Sequence, residues 1–580
     1  NITDTAVAFV FDPVNDPVEC HLQKMFPSPF NNDYVCLAYY MWADGKQNHW
    51  EGRPDFPVMA NAAKNGMPSL FLVSVPIDLD TTTAYPLSVW LHGGGGRARQ
   101  SLAGARERVN IDPARGILLA HNDRLHGYRG PSRPTSDLPS WHFGWSKNYD
   151  PFNSIMLSMD TVVNYTQRRY LWIDEWLARN FRIDTNRIHV HGHSMGAAGA
   201  TALAKCYPGH YASATVFNTS CKGPQTSDGA AAYLGSFADN FPTNLKNNNN
   251  TPVRVFDIWD LYTNCSPERD LPIIRYWHGK QDVNNVNHWG PVAVENYVIC
   301  DSTGSGLYGF WSEREHGINS APDLNDHWIM GTAAILQTAT DNVDFAELHY
   351  KSDISFPAFF NHRLDKKNND PGTGLIGIDN GDGDNWGTWG GYHRWGNVVE
   401  TPQLWAVAAW LESNAVFAND NSPEDFLTAD LAIRRPQSFT PVTGEDIFWN
   451  VKDAATGDIL QSGTTTVQTD DLVVIPQIAV FRESIRKVLI SITNITTSVT
   501  GSSTDRLDLR VIPNPAFHSV ETEPSWHTVS IIDLNGNVVQ HSTVSQSGQP
   551  LDVSFLPAGL YVLNVMTHDG TRKTGRFVKL

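Results

Sequence analysis

Apolar positions follow two different rhythms along this chain. In the first half they form short continuous runs at 6–11, 70–75, 87–91, 116–122, 271–277 and 307–312, separated by stretches rich in Gly, Pro and Asp. Runs of that length and setting predict strands, the run at 87–91 a buried one. Between them, Val162, Tyr165, Ile173, Trp176 and Leu177 fall at helical spacing and predict an amphipathic helix over 159–181. A turn at 184–186 leads into a short strand before Ser194, and 195–206 reads as a helix with small residues at Gly196, Gly199, Ala200 and Ala204. Small residues let that helix lie close against a sheet.

The second half changes character. From about residue 348, Gly, Asn, Asp and Trp become frequent. The stretch 402–412 reads as a short helix or a buried strand, and 425–495 holds short strands at 447–451, 459–461, 472–475 and 488–492. An immunoglobulin-like sandwich is the expectation there. A Ser/Thr/Gly linker at 496–504 precedes a small β unit with an Asn535-Gly536 hairpin turn and an Asp569-Gly570 turn. Three regions follow: 1–350, 351–500 and 501–580.

Size and charge narrow the function classes. A chain of 580 residues exceeds one ordinary domain. A net charge of −18 argues against a nucleic-acid partner, because phosphate binding needs a basic face. No apolar run reaches the length of a membrane span. The 19 Trp and 44 Gly suit an extracytoplasmic protein that handles sugars or flat ligands, or else a Trp-rich core. Six Cys, none in a Cys-X-X-Cys pair, speak against zinc and allow up to three disulfides, with Cys20–Cys36 the most local pairing. The chain opens at Asn1 with neither Met nor an apolar leader, as expected of a mature exported protein; a trimmed chain reads the same.

The candidate chemistry gathers around Gly192-His193-Ser194-Met195-Gly196. A serine on a sharp strand-to-helix turn has its hydroxyl held clear of the sheet, and the flanking glycines leave room for the turn. The helix that follows aims backbone N–H groups at developing negative charge. Upstream, the 87–91 strand runs into His92-Gly93-Gly94-Gly95-Gly96, where free N–H groups suit an oxyanion. A phosphate loop would carry Gly-Lys-Ser/Thr, which is absent.

A serine nucleophile needs a base, and the base an orienting acid. Asp282 follows the strand-like run 271–277 and is the chosen acid, with Asp257 and Asp260 as rivals. His316 follows the run 307–312 and is the chosen base, with His327 as rival. The order Ser, Asp, His is that of α/β hydrolases. The alternating His189, His191 and His193 share one strand face and offer a zinc reading, but no acidic or Cys group completes it.

The region 86–337 resembles α/β-hydrolase esterases of the polyhydroxybutyrate-depolymerase and feruloyl-esterase type. The likeness rests on Leu91-His92-Gly93-Gly94-Gly95, the 182–190 segment, Gly-His-Ser-Met-Gly at 192–196, and His278-Gly279-X-X-Asp282. It implies an α/β-hydrolase fold, a mostly parallel sheet with helices on both faces. It also implies Ser194 as nucleophile, Asp282 as acid, His316 as base, and oxyanion donors at Met195 and at Gly94 or Gly95. Ala197 stands where the family usually has a further glycine, and the His316 loop lacks the common Gly-Gly-His-X-Trp form. Gly-His-Ser-Met-Gly also occurs in cutinase-like polyester hydrolases.

Trp141 and Trp145, in the long aromatic loop after the 116–122 strand, and Trp386 and Trp389 further on are candidate substrate-stacking residues. Asp379-Asn380-Gly381-Asp382-Gly383-Asp384 half-matches a calcium loop, but its turn glycine and closing glutamate are misplaced, and solvated loop is the favoured reading. Pro513-Asn514-Pro515 and the Leu556-Pro557-Ala558-Gly559-Leu560-Tyr561 core closely resemble the C-terminal sorting domain of type IX secretion substrates. That resemblance implies the type IX machinery as a partner, and secretion from or attachment to the surface of a Gram-negative cell. The expectation is a secreted, monomeric serine esterase acting on feruloyl or acetyl esters of polysaccharide, or on polyesters, with no metal or organic cofactor implied. The alternatives are a serine peptidase on the same fold and a non-catalytic surface glycan-binding protein.

Overall fold

The computed structural model describes residues 20–43, 67–80, 82, 84–103, 116–127, 136–149, 159–219, 230–260, 263–282, 289, 291–312, 316, 350–363, 370–372, 383, 387–390, 392–411, 424–494, 510–512, 514–523, 528–532, 538–543, 550–566 and 572–580. The expected strand at 6–11, the calcium-like loop apart from Gly383, Trp386, His327 and Cys221 lie outside them. The chain forms two compact units. The first takes in 1–303, 308–352 and 371–387; the second takes in 304–307, 353–370 and 388–580.

The first unit is built on one large sheet. Nine of its ten strands are β1 (Cys20–Pro27), β2 (Tyr34–Ala43), β3 (Met67–Pro76), β4 (Tyr85–Leu91), β5 (Ile117–His121), β6 (Ile183–His193), β7 (Ser213–Phe217), β8 (Ile273–Gly279) and β9 (Leu307–Ser312). They lie in the order β1-β2-β3-β5-β4-β6-β7-β8-β9. The five strands β5, β4, β6, β7 and β8 are parallel. β1, β2 and β3 form an antiparallel flank, and β3 meets β5 antiparallel. The expected parallel sheet is therefore its central part, and the β-rich N-terminal segment extends it at one edge.

Two helices bracket the serine strand: α1 (Tyr165–Asn180) and α2 (Met195–Cys206). Strand register assigns them to a face. Leu91 pairs with Gly192 and with His121, and His121 with Phe71, so these four point to one side. Tyr170 of α1 stacks on His121 with ring centroids 3.7 Å apart, and Trp176 packs edge-on against Phe71. A Cβ on Gly192 would strike the Gly196 carbonyl oxygen at 2.2 Å, so α2 lies on the same side. Helices on both faces were expected. Among the described residues, α1 and α2 share one face, and a 3-10 turn at Ala98–Ser101 covers part of the other.

That other face is aromatic and polar. Trp90, Phe217, Trp277 and Phe310 form a row across four strands, with centroid separations of 6.0, 6.4 and 4.4 Å. Each such pair contributes about 0.5–1.5 kcal/mol beyond its buried area. The segment 184–186, expected as a turn, is the first part of β6, which carries an irregularity between Ile183 and Ile188. The helix expected from 159 starts at Tyr165, because Val162 and Val163 form a short strand.

The Cys20–Cys36 pairing is ruled out by register. Cys20 faces Met41 and Cys36 faces Phe26, so the two cysteines sit at opposite ends of the ladder. Six residues of strand separate them by roughly 20 Å, far beyond a disulfide's reach. Cys36 instead lies 3.6 Å from the Ser74 hydroxyl. Cys36, Cys206, Cys265 and Cys300 are free thiols.

The second unit is antiparallel β. One sheet joins β10 (Phe356–Phe360), β14 (Phe426–Arg434) and β17 (Val474–Phe481). Another runs β11 (His393–Trp395), β13 (Leu404–Leu411), β18 (Val488–Asn494), β15 (Asp446–Asp453), β16 (Ile459–Thr466), with β12 (Val399–Thr401) also on β13. The ambiguous 402–412 stretch is thus strand, buried along nearly its whole length. The Glu400 carboxylate accepts three successive backbone N–H groups, from Gln437, Ser438 and Phe439.

The tail adds β19 (Arg510–Ile512), β20 (Ser519–Glu523), β21 (Thr528–Ile532), β22 (Val538–Thr543), β23 (Leu551–Asp552), β24 (Gly559–Met566) and β25 (Arg572–Lys579). Its own core comprises Val520, Val529, Ile531, Leu563, Val565 and Phe577 among others. β21 pairs β22 and β24 pairs β25, the two hairpins expected from the Asn-Gly and Asp-Gly turns.

Candidate active site

Ser194 sits where β6 turns into α2, at φ 59° and ψ −123°. A left-handed φ on a serine is strained, typically by about 1–3 kcal/mol. The surrounding backbone enforces it. A Cβ on Gly196 would lie 2.0 Å from the Leu91 carbonyl oxygen, so only glycine lets α2 start this close to β4. The Ser194 N–H donates to the Phe217 carbonyl at 2.9 Å, fixing the turn to the neighbouring strand.

Three side chains meet at this turn. Nε2 of His316 is 2.8 Å from Ser194 Oγ, and its Nδ1 is 2.8 Å from Asp282 Oδ2. Asp282 is fully buried, and its N–H donates to the Gly279 carbonyl at the end of β8. An N–H on Nδ1 toward the carboxylate leaves Nε2 as the acceptor facing the serine hydroxyl. Of the rival carboxyls, that of Asp257 accepts from the Asn240 amide at 3.2 Å.

Two further residues touch this group: Asn218, not singled out from sequence, and His193, read there only as a possible metal ligand. Asn218 follows β7 at φ 55° and donates its amide to Asp282 Oδ2 (3.2 Å) and to the His316 carbonyl (3.1 Å). His193 donates from Nε2 to the same carbonyl at 2.7 Å. The signals were a polar residue at the C-terminal end of a central strand, and the variable position before the serine. Of the three alternating histidines, His189 faces the Ser213 hydroxyl at 2.8 Å and His193 the His316 carbonyl.

The glycine run beside Ser194 is held by its carbonyls. His92 Nδ1 donates to the Gly93 carbonyl at 2.9 Å, while its Nε2 accepts the Asp123 N–H at 3.0 Å. Arg124 donates to the Gly94 and Gly96 carbonyls at 3.2 and 2.6 Å. In a trans peptide, C=O and the next N–H point opposite ways. Fixing the Gly93 and Gly94 carbonyls therefore aims the Gly94 and Gly95 N–H groups away from His92 and Arg124. An added Cβ on Gly94 would come 3.9 Å from the Met195 Cβ, which puts the run beside the N-terminus of α2.

Behind the run lies a buried polar network. His142 Nε2 donates to the His92 carbonyl at 3.0 Å, and its Nδ1 accepts from the Tyr170 hydroxyl at 3.0 Å. Asp123 accepts from the Ser140 N–H and hydroxyl and from the His142 N–H, at 3.0, 2.6 and 2.9 Å. Burial works to raise the Asp123 pKa, but His142, Ser140 and His92 outweigh it and hold the carboxyl below its ordinary value. Burial, with His142 next, pushes His92 down to about 3, so it is neutral at pH 7. Trp141 and His142 both adopt left-handed backbone, φ 56° and 54°, which these bonds sustain.

The candidate stacking residues separate here. Trp141 is half-buried, edge-on to Trp259 at 6.3 Å. Trp145 is 2% exposed and packs against Tyr165 as core, so it presents no face to a ligand. Trp389 is buried.

The chain is similar in structure to an S-formylglutathione hydrolase from Agrobacterium tumefaciens, at 14% identity and TM-score 0.35 over 55% of this chain and 98% of that one. It is also similar to a fluorophosphonate-binding serine hydrolase of Staphylococcus aureus, at 14% identity and TM-score 0.32 over 53% and 96%. An esterase from Rhizomucor miehei matches at 13% identity and TM-score 0.29 over 53% and 83%. No curated protein matches the chain in sequence. Residues 510–579 match the family described as the secretion system C-terminal sorting domain.

Proposed function

We propose that this chain is an exported serine carboxylic-ester hydrolase. The observation that carries the proposal is the single imidazole, His316, within 2.8 Å of both a strained serine hydroxyl and a buried carboxylate. In this reading Ser194 Oγ attacks the ester carbonyl while His316 Nε2 takes its proton. Asp282 holds the His316 tautomer and stabilises the imidazolium. The Met195 N–H and those of Gly94 and Gly95 receive the charge that develops on the carbonyl oxygen. His316 then returns the proton to the departing alcohol oxygen, leaving an acyl-Ser194 ester. Water enters by the same route and releases the acid.

The substrate class is a feruloyl or acetyl ester on polysaccharide, or a polyester. The half-buried Trp141 beside the buried network supports a flat or polymeric ligand. The sorting-domain match supports export by type IX secretion to the surface of a Gram-negative cell or beyond it.

The test is acid release from three substrates: a short-chain nitrophenyl ester, a feruloylated or acetylated xylan, and a polyester film. Wild type and Ser194→Ala are run together. Cleavage by wild type with loss of several orders of magnitude in the variant supports the reading, and the substrate cleaved names the class. Equal inertness of both proteins overturns it.

A further inference from the structure

We infer that Asn218 and His193 are positioning residues that set the base by gripping its backbone; the inference rests on the reading of His316 as general base. An imidazole working between a serine and a carboxylate needs its ring placed to within a fraction of an ångström. Its side-chain contacts alone do not fix it, because the ring can swing about χ1 and χ2 if its backbone drifts. The His316 carbonyl supplies the second anchor. It accepts two hydrogen bonds at once, from His193 Nε2 at 2.7 Å and from Asn218 Nδ2 at 3.1 Å. A carbonyl oxygen has two lone pairs, so both are used.

Both donors are rigidly mounted. His193 is the last residue of β6, directly before the nucleophile, is 2% exposed, and its ring lies 4.9 Å from that of His316. Asn218 is 1% exposed, and its N–H donates to the Trp277 carbonyl at 2.7 Å. Its left-handed backbone turns the side chain across the ends of the strands, so that one amide also reaches Asp282 Oδ2. Asparagine tolerates this conformation better than most residues. Asn218 therefore couples acid and base: any shift of Asp282 relative to the His316 backbone stretches one of its two bonds. The nucleophile's neighbour, the acid and the base backbone are tied into one unit before substrate arrives.

The experiment compares kcat and KM on a nitrophenyl ester for Asn218→Gly, His193→Phe and His193→Gln, with Ser194→Ala as control. Glycine keeps the left-handed backbone of residue 218 and removes only the amide. Phenylalanine keeps the ring volume of residue 193 and removes the donor, while glutamine restores an N–H at similar reach. The expected result is a fall in kcat of about 10–100-fold for Asn218→Gly and for His193→Phe, with KM unchanged. His193→Gln recovers most of that loss. Thermal melting identifies variants that fold, and Asn218→Gly reads the same carbonyl if His193→Phe does not. Wild-type kcat in folded Asn218→Gly or His193→Phe, with Ser194→Ala inactive, overturns the inference and leaves the esterase reading standing. Activity retained in Ser194→Ala overturns the esterase reading itself.

Discussion

Gly196 and Leu91 meet backbone to backbone: a Cβ added to Gly196 would stand 2.0 Å from the Leu91 carbonyl oxygen and 2.6 Å from its carbon. No rotamer change relieves a clash with main chain. Gly196→Ala is expected to push α2 off β4, lower stability by about 3 kcal/mol or more, and abolish activity. Gly95→Ala is the contrast, since nothing lies within 4 Å of its added Cβ and it should melt with wild type. Equal melting of the two variants would contradict the packing described.

Acid should weaken the first unit through its buried imidazoles. His92 titrates near 3 when folded, because burial and then His142 disfavour its charge, against about 6.5 when unfolded. Between those values the unfolded chain holds one more proton than the folded chain, so stability falls as pH drops from about 6.5 toward 3. Burial lowers His142 and His121 in the same sense. Asp123, held below its ordinary value, adds a loss that begins only near its unfolded pKa of about 4. His92→Gln should reduce the slope of unfolding free energy between pH 6 and pH 4 by about one proton, roughly 1.4 kcal/mol per pH unit. Guanidinium titrations at several pH values read this slope directly.

Lys205 is a buried cation held by backbone carbonyls. It is 1% exposed, and its ammonium donates to the carbonyls of Ile258 at 2.8 Å and of Asp257 at 3.4 Å, and to that of Asp260. These carbonyls close the 3-10 turn Val255–Ile258. Lys205→Met keeps most of the volume and removes the ammonium from these carbonyls, of which those of Asp257 and Asp260 keep backbone donors. A loss of about 2–4 kcal/mol is expected in thermal or denaturant unfolding.

Asn514 fastens the start of the tail to its end. Its side chain accepts the Val578 N–H at 2.9 Å and donates to the Arg576 carbonyl at 2.9 Å. Asn514→Ala removes both bonds. Amide exchange in β25 should accelerate by roughly 5–30-fold, as expected for a local loss of about 1–2 kcal/mol. Unchanged exchange there would show that the Pro-Asn-Pro segment does not brace this strand.

What the sequence made legible tracks how local each feature is. The Gly-X-Ser-X-Gly turn, the strand before it and the helix after it are written in consecutive residues, and all three appear at Ser194. The positions of Asp282 and His316 followed from the rule that strand ends carry the chemistry, and they meet at one imidazole. Asn218 was invisible because its role depends on a left-handed backbone that brings it to two residues far along the chain. Asp123 and His142 were missed for the same reason: their partners lie on other loops. Trp145 was misread because aromatic residues in a loop look alike whether they stack on a ligand or on Tyr165.

The central claim is that Ser194 is a nucleophile activated by His316. An alkyl fluorophosphonate tests it most directly, read by intact mass and then by peptide mapping. One adduct is expected, on Ser194, absent from Ser194→Ala and formed at least about 100-fold more slowly in His316→Ala. An adduct on another residue, or no adduct on folded wild type, would contradict it.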